Sequence, residues 1–130
     1  TNGLYRVVKS ALDHGKVSYE GNIDAMREYI HVEDAARGSI DALNDEFVNK
    51  SVVLTGQEPM RVIDMLKMLA EILGLSADSV EFIEDKYAGH YVRTPYAYQP
   101  KLGRKYIPPM HVDLGQGLLQ VINDLNQDNL

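Results

Sequence analysis

Cysteine and tryptophan are both absent from these 130 residues, and phenylalanine occurs only twice. Without cysteine there can be no disulfide, thiolate metal site or thiol nucleophile. That composition fits a reducing compartment, so a cytoplasmic location is expected. No apolar run approaches the roughly 18 residues of a membrane span, and no signal peptide is visible. The chain also lacks a G-x-G-x-x-G, a Walker loop, an H-E-x-x-H and a serine in a nucleophile elbow. His14, His31, His90 and His111 are scattered with no pair at ligand spacing, so no metal site is expected. The "NKS" at Asn49 matches the glycosylation sequon, a pattern short enough to arise by chance. Nothing here amounts to a complete catalytic apparatus.

What is present suits one soluble globular domain spanning residues 1–130, with 45% apolar and 25% charged residues. The net charge of −6 argues against wholesale nucleic-acid binding. That charge is unevenly spread. Residues 86–112 hold five basic side chains and no acidic one, with five of the eight tyrosines and four of the five prolines. Such a stretch reads as an ordered, irregular basic arm, able to meet an anion or to lie on the acidic remainder. The chain opens at Thr1 without a methionine, as a fragment or a processed product would.

Hydrophobic spacing divides the chain into alternating helices and strands. Asn2 can cap a first helix with Leu4, Val7, Val8, Ala11 and Leu12 inward and Gly15 as its stop. "KVSYEG" is a short strand into a Gly21-Asn22 turn. A six-residue strand, Arg27 to Val32, passes at once into a helix opened by Glu33 and Asp34, where the dipole favours acids. The buried stripe of that helix is expected at Ala35, Ala36, Ile40, Leu43 and Phe47. "SVVLT" (51–55) reads as a strand buried on both faces. A helix follows Pro59 and carries Val62, Ile63, Leu66, Leu69, Ala70 and Leu73 up to Gly74. "SVEFIE" (79–84) is a further strand, and Asp113 caps a last helix with Leu114, Leu118, Val121, Ile122 and Leu125. The alternation points to an α/β layer arrangement.

The Arg27 strand is the most informative stretch. Alternation puts Arg27, Tyr29 and His31 on one face and Glu28, Ile30 and Val32 on the other. A guanidinium donates two parallel hydrogen bonds to anionic oxygens, and a phenol beside it can bond a ribose or pack on a base. The same residues could equally be a surface ion pair and a ring covering the core edge. His31 is expected to be a structural histidine at the strand end.

The order of elements adds a resemblance. "GLYRVVKSALDHGKVSYEGNIDAMREYIHVEDAARGSIDAL" resembles the extended short-chain dehydrogenase/reductase family, the NAD-dependent nucleotide-sugar epimerases and dehydratases. "REYIHVED" matches that family's R-D-[YF]-[IV]-H-V-x-D stretch at Arg27, Tyr29, His31, Val32 and Asp34, with Glu28 in place of Asp. "SVVLTGQEPMRVIDMLKMLAEILG" is similar to the unit that follows it, and "PKLGRKY" through "VDLGQGLLQVI" to the closing segment. The family's Gly-rich dinucleotide loop and Tyr-x-x-x-Lys pair have no counterpart; Tyr5 and Lys9 share the pair's spacing by chance.

The resemblance therefore implies an α/β fold: the C-terminal substrate-binding part of a Rossmann-type protein, helices packed on a few short strands. It implies a nucleotide-sugar ligand, with no cofactor bound by this part and NAD(P) bound by the full-length parent. The partner it implies is the missing N-terminal Rossmann half. It also implies that Arg27 meets the diphosphate and that Tyr29 approaches the nucleotide and sugar. Ser18 to Glu20 would pass beside the base, and Asn2 would touch the diphosphate. Arg93 is the nearest match to a second phosphate-binding arginine, although "RTPY" lacks the usual Gly-Asp. Alone, such a part is expected to have no turnover. Two other classes stand beside it. One is a free-standing anion- or nucleic-acid-binding module using the basic arm. The other is an interaction domain or homodimer joined through apolar faces on the first and last helices.

Overall fold

The structure is a computed structural model that describes residues 3–22, 24–83 and 103–127. Asn2, Arg93 and most of the basic arm lie outside the described residues. The first helix, α1 (Gly3–His14), turns its Val7, Val8 and Ala11 inward. Gly15 then takes φ 67 and donates its N–H to the Ala11 carbonyl at 2.9 Å, a left-handed stop that a side chain would strain. Strand β1 (Val17–Glu20) pairs in parallel with β5 (Val80–Ile83), with Val17 opposite Val80. Between them lie β2 (Met26–Arg27), α2 (Val32–Asp41), β3 (Val52–Leu54), β4 (Met60–Arg61) and α3 (Val62–Ile72). Strand β6 (Arg104–Tyr106) and helix α4 (Leu114–Gln127) complete the order. Asp113 caps α4 through Oδ1, which accepts from the Gln116 amide at 3.0 Å.

Among the described residues the strands form three short pairs rather than one sheet: β1 with β5, β2 with β4, and β3 with β6. One apolar core holds them. Val8, Val62, Leu66 and Leu69 are fully enclosed there with Val17, Ile122 and Leu125, so α1, α3 and α4 share a single interior. The α/β expectation of helices on a few short strands is met.

Several local expectations are corrected. The strand at Arg27 is two residues long rather than six, because only Met26 and Arg27 find partners, at Arg61 and Met60. Strand β3 is half-buried throughout rather than enclosed on both faces, since it has one partner strand. That partner, β6, lies in the stretch expected to be irregular.

The largest correction concerns α2. It buries Asp34 and Gly38, while Ile40 and Leu43 are 67% and 82% exposed and Val32 is 76% exposed. Gly38 is what lets that face close. A Cβ there would stand 2.8 Å from the Leu54 side chain, so the backbone itself packs on β3. Phe47 is buried, but in a separate 3-10 turn (Asp45–Phe47), edge-on to Tyr106 at 5.1 Å. The first and last helices pack against each other and share the core with α3.

Candidate functional site

Arg27, Tyr29 and His31 line one cavity of about 220 Å³. Two loops close it from opposite sides: Thr55–Glu58, which follows β3, and His111–Gly115, which leads into α4. Arg27 and Tyr29 both reach it although β2 ends at Arg27. Ile30, expected on the apolar face, lines the cavity as well. Val32 leaves the alternation because α2 begins there. His31 is the N-cap of α2, its Nδ1 accepting from the Glu33 amide at 3.3 Å. That bond leaves Nε2 with the proton in the neutral ring and gives His31 a place at the start of α2 as well as in the cavity lining.

The two principal side chains are both donors. The Arg27 guanidinium gives one hydrogen bond to its neighbour's carbonyl, Met26 O, at 2.7 Å. Burial pushes the Tyr29 phenol up to about 12, the nearby Tyr19 phenol adds to the rise, and Arg27 opposes it. Tyr29 therefore stays protonated and can donate to an anionic or hydroxyl oxygen.

Asp34, also in the lining, is 3% exposed, with Oδ2 accepting from the Val112 amide at 2.8 Å. Its Oδ1 has no hydrogen-bond partner among the described residues, although Arg37 Nη1 stands 3.6 Å away. His111 Nδ1 lies 3.2 Å from Pro108 O, which places the proton on Nδ1 and leaves Nε2 an acceptor. The lining thus combines cationic and phenolic donors with carboxylate and imidazole acceptors. That arrangement suits a polar ligand carrying both anionic oxygens and hydroxyls.

Glu28, between Arg27 and Tyr29, points away from the cavity. Its side chain is 4% exposed and bonds Lys105 Nζ through Oε1 at 2.9 Å. Ser18 and Glu20 line a second cavity of about 280 Å³ with Gly3, Arg6 and Tyr19. The structure thus separates the sequence-derived candidates into two groups, with Asn2 and Arg93 outside the described residues. Thr55, Gly56, Gln57, Asp34 and His111 escaped sequence reasoning as site residues. The available signals were Gly56 directly after a strand and Asp34 within "REYIHVED". Nothing in sequence spacing links His111 to them. Among the described residues, no group of three or more histidine and acidic side chains could hold a metal ion.

No family model and no curated protein matches the sequence. Solved structures do. The chain superposes on dTDP-glucose 4,6-dehydratase of Bacillus anthracis, determined with NAD, with a TM-score of 0.74 over 98% of its length and 18% identity. The chain therefore shares the α/β fold of a part of that enzyme. UDP-glucuronic acid 4-epimerase of Bacillus cereus, also determined with NAD, matches 97% of the chain with a TM-score of 0.67 and 20% identity. The chain spans 40% and 38% of those two enzymes. The sequence contains no G-x-G-x-x-G of the kind that holds a dinucleotide pyrophosphate. No helix among the described residues is long and apolar enough to cross a membrane.

Proposed function

We propose that this chain is the nucleotide-sugar-binding part of an NAD(P)-dependent sugar epimerase or dehydratase. Arg27 and Tyr29 lining one cavity, in a fold shared with two sugar-nucleotide enzymes, carries the reading. In it, Arg27 donates to the diphosphate and the Tyr29 phenol to a neighbouring oxygen. Ser18 and Glu20, in the second cavity, flank the base, and Asn2 and Arg93 extend the phosphate contacts. NAD(P) and the hydride chemistry belong to a cofactor-binding half, while these residues bind and orient the substrate. The exposed apolar side chains of Val32 and Ile40 on α2, with Leu43 just after it, are the surface that half covers.

Calorimetric titration of the chain with UDP-, dTDP- and GDP-sugars tests the assignment. One nucleotide should bind, and Arg27→Ala should weaken it about tenfold or more, since hydrogen bonds to charged groups contribute ~1.5–3 kcal/mol. Equal affinities of wild type and Arg27→Ala, or no binding by either, would sink it.

A further inference from the structure

Two walls of the Arg27 cavity come from different parts of the chain. One is the segment leaving β2, with Arg27 and Tyr29; the other is the Thr55–Glu58 loop leaving β3. They meet in front at Gly56, whose Cα lies so close to the Tyr29 carbonyl that a Cβ would fall 2.0 Å from that oxygen. Behind them stands Lys105, which is not part of the lining. Its Nζ donates to Glu28 Oε1 at 2.9 Å and to the Gln57 carbonyl at 3.4 Å. Glu28 is flanked by Arg27 and Tyr29, and Gln57 by Gly56 and Glu58, so one ammonium grips the back of both walls. Lys105 is itself fixed by β6, where it sits opposite Val53 in the strand that delivers the Thr55 loop.

Stability alone explains this pair poorly. The Glu28 carboxylate is almost fully buried, and its Oε2 has no hydrogen-bond partner among the described residues. A buried pair with an unsatisfied oxygen is often no better for stability than apolar side chains of similar size. What it supplies that apolar groups cannot is a directional, fixed-length link between two backbones.

We propose that Lys105 is a positioning residue, its ammonium setting the spacing between the Arg27–Tyr29 wall and the Gln57 wall through Glu28 and the Gln57 carbonyl. The proposal rests on the nucleotide-sugar reading only for its effect on affinity. The clamp itself is a property of the fold.

The test is the double variant E28M/K105M, which replaces the ion pair by side chains of similar length. Three quantities are read: the melting temperature, hydrogen exchange at the Gly56–Glu58 amides, and affinity for UDP, dTDP and GDP. The expected result is a nearly unchanged melting temperature, exchange at Gly56–Glu58 faster by about tenfold, and nucleotide binding weaker by about tenfold or more, the scale of effect that misplaced binding groups produce. Unchanged exchange and affinity in a folded E28M/K105M would overturn the proposal, because apolar packing would then suffice. If wild type binds none of the three nucleotides, the functional reading fails and exchange alone decides the clamp, acceleration supporting it and its absence refuting it. Should E28M/K105M not fold, E28Q/K105M keeps the shape of Glu28, removes both charges, and is read in the same way.

Discussion

Substituting Gly56 by alanine is the sharpest test of how the cavity is built. Gly56 is buried, and its φ is not left-handed, so alanine meets no conformational penalty there. The obstacle is space. The new methyl carbon would sit 2.0 Å from Tyr29 O and 2.9 Å from its carbonyl carbon, against 3.4 Å for the onset of ordinary contact. Both obstructing atoms are backbone, so no rotamer relieves the clash, and one wall must retreat by about 1.4 Å. Overpacking a tight interior costs about 1–3 kcal/mol, and displacing backbone falls at the upper end. For a chain of this size that is a loss of about 10 °C in melting temperature. Gly117→Ala is the control. Its Cβ would meet only His31 Cδ2, at an ordinary 3.5 Å, within α4. Helix propensity alone should then stabilise it by about 0.5–1 kcal/mol. Differential scanning calorimetry of the two variants should therefore move in opposite directions. If Gly56→Ala melts within a degree or two of wild type, close backbone approach does not define the cavity.

Two further outcomes are expected. The Tyr29 phenol is raised from 10.0 to about 12, so the folded state keeps its proton when the unfolded state has lost it. Stability from this group is full below pH 10 and falls as pH rises toward 12, by about 2–3 kcal/mol. Urea unfolding across that range should show Tyr29→Phe losing less stability than wild type, and parallel curves would contradict the burial of Tyr29. On α2, Ile40→Lys with Leu43→Lys should change stability by no more than about 0.5 kcal/mol, because both side chains are solvent-facing. The same pair should reduce self-association in sedimentation velocity and abolish docking of a co-expressed cofactor half. A large drop in melting temperature instead would mean that the stripe is already covered within the chain.

Much of this architecture was legible in one dimension because helix and turn signals are local. The Gly15 stop, the Asp113 cap and the apolar periodicity of α1, α3 and α4 act within a few residues of themselves. The two-residue strands were not legible. Their extent depends on where a partner lies, and Met60–Arg61 is more than thirty residues from Met26–Arg27. Helix α2 shows the limit most clearly. Its apolar stripe was readable, but the inference that a stripe faces the chain's own core failed. Gly38 and Asp34 form the face that packs, because a glycine permits backbone-to-side-chain approach and Asp34 has the Val112 amide to bond.

By itself the sequence determined the α/β class, the helix termini and the placing of Arg27 and Tyr29 on one side, since alternation of an extended chain needs no partner. The tertiary structure alone decided what those two residues face. Long-range packing brings Gly56, Gln57 and His111 around them, sets Lys105 behind them, and leaves Ser18 and Glu20 in a separate cavity. A cavity is a relation between segments distant along the chain, and periodicity within one segment carries no record of it.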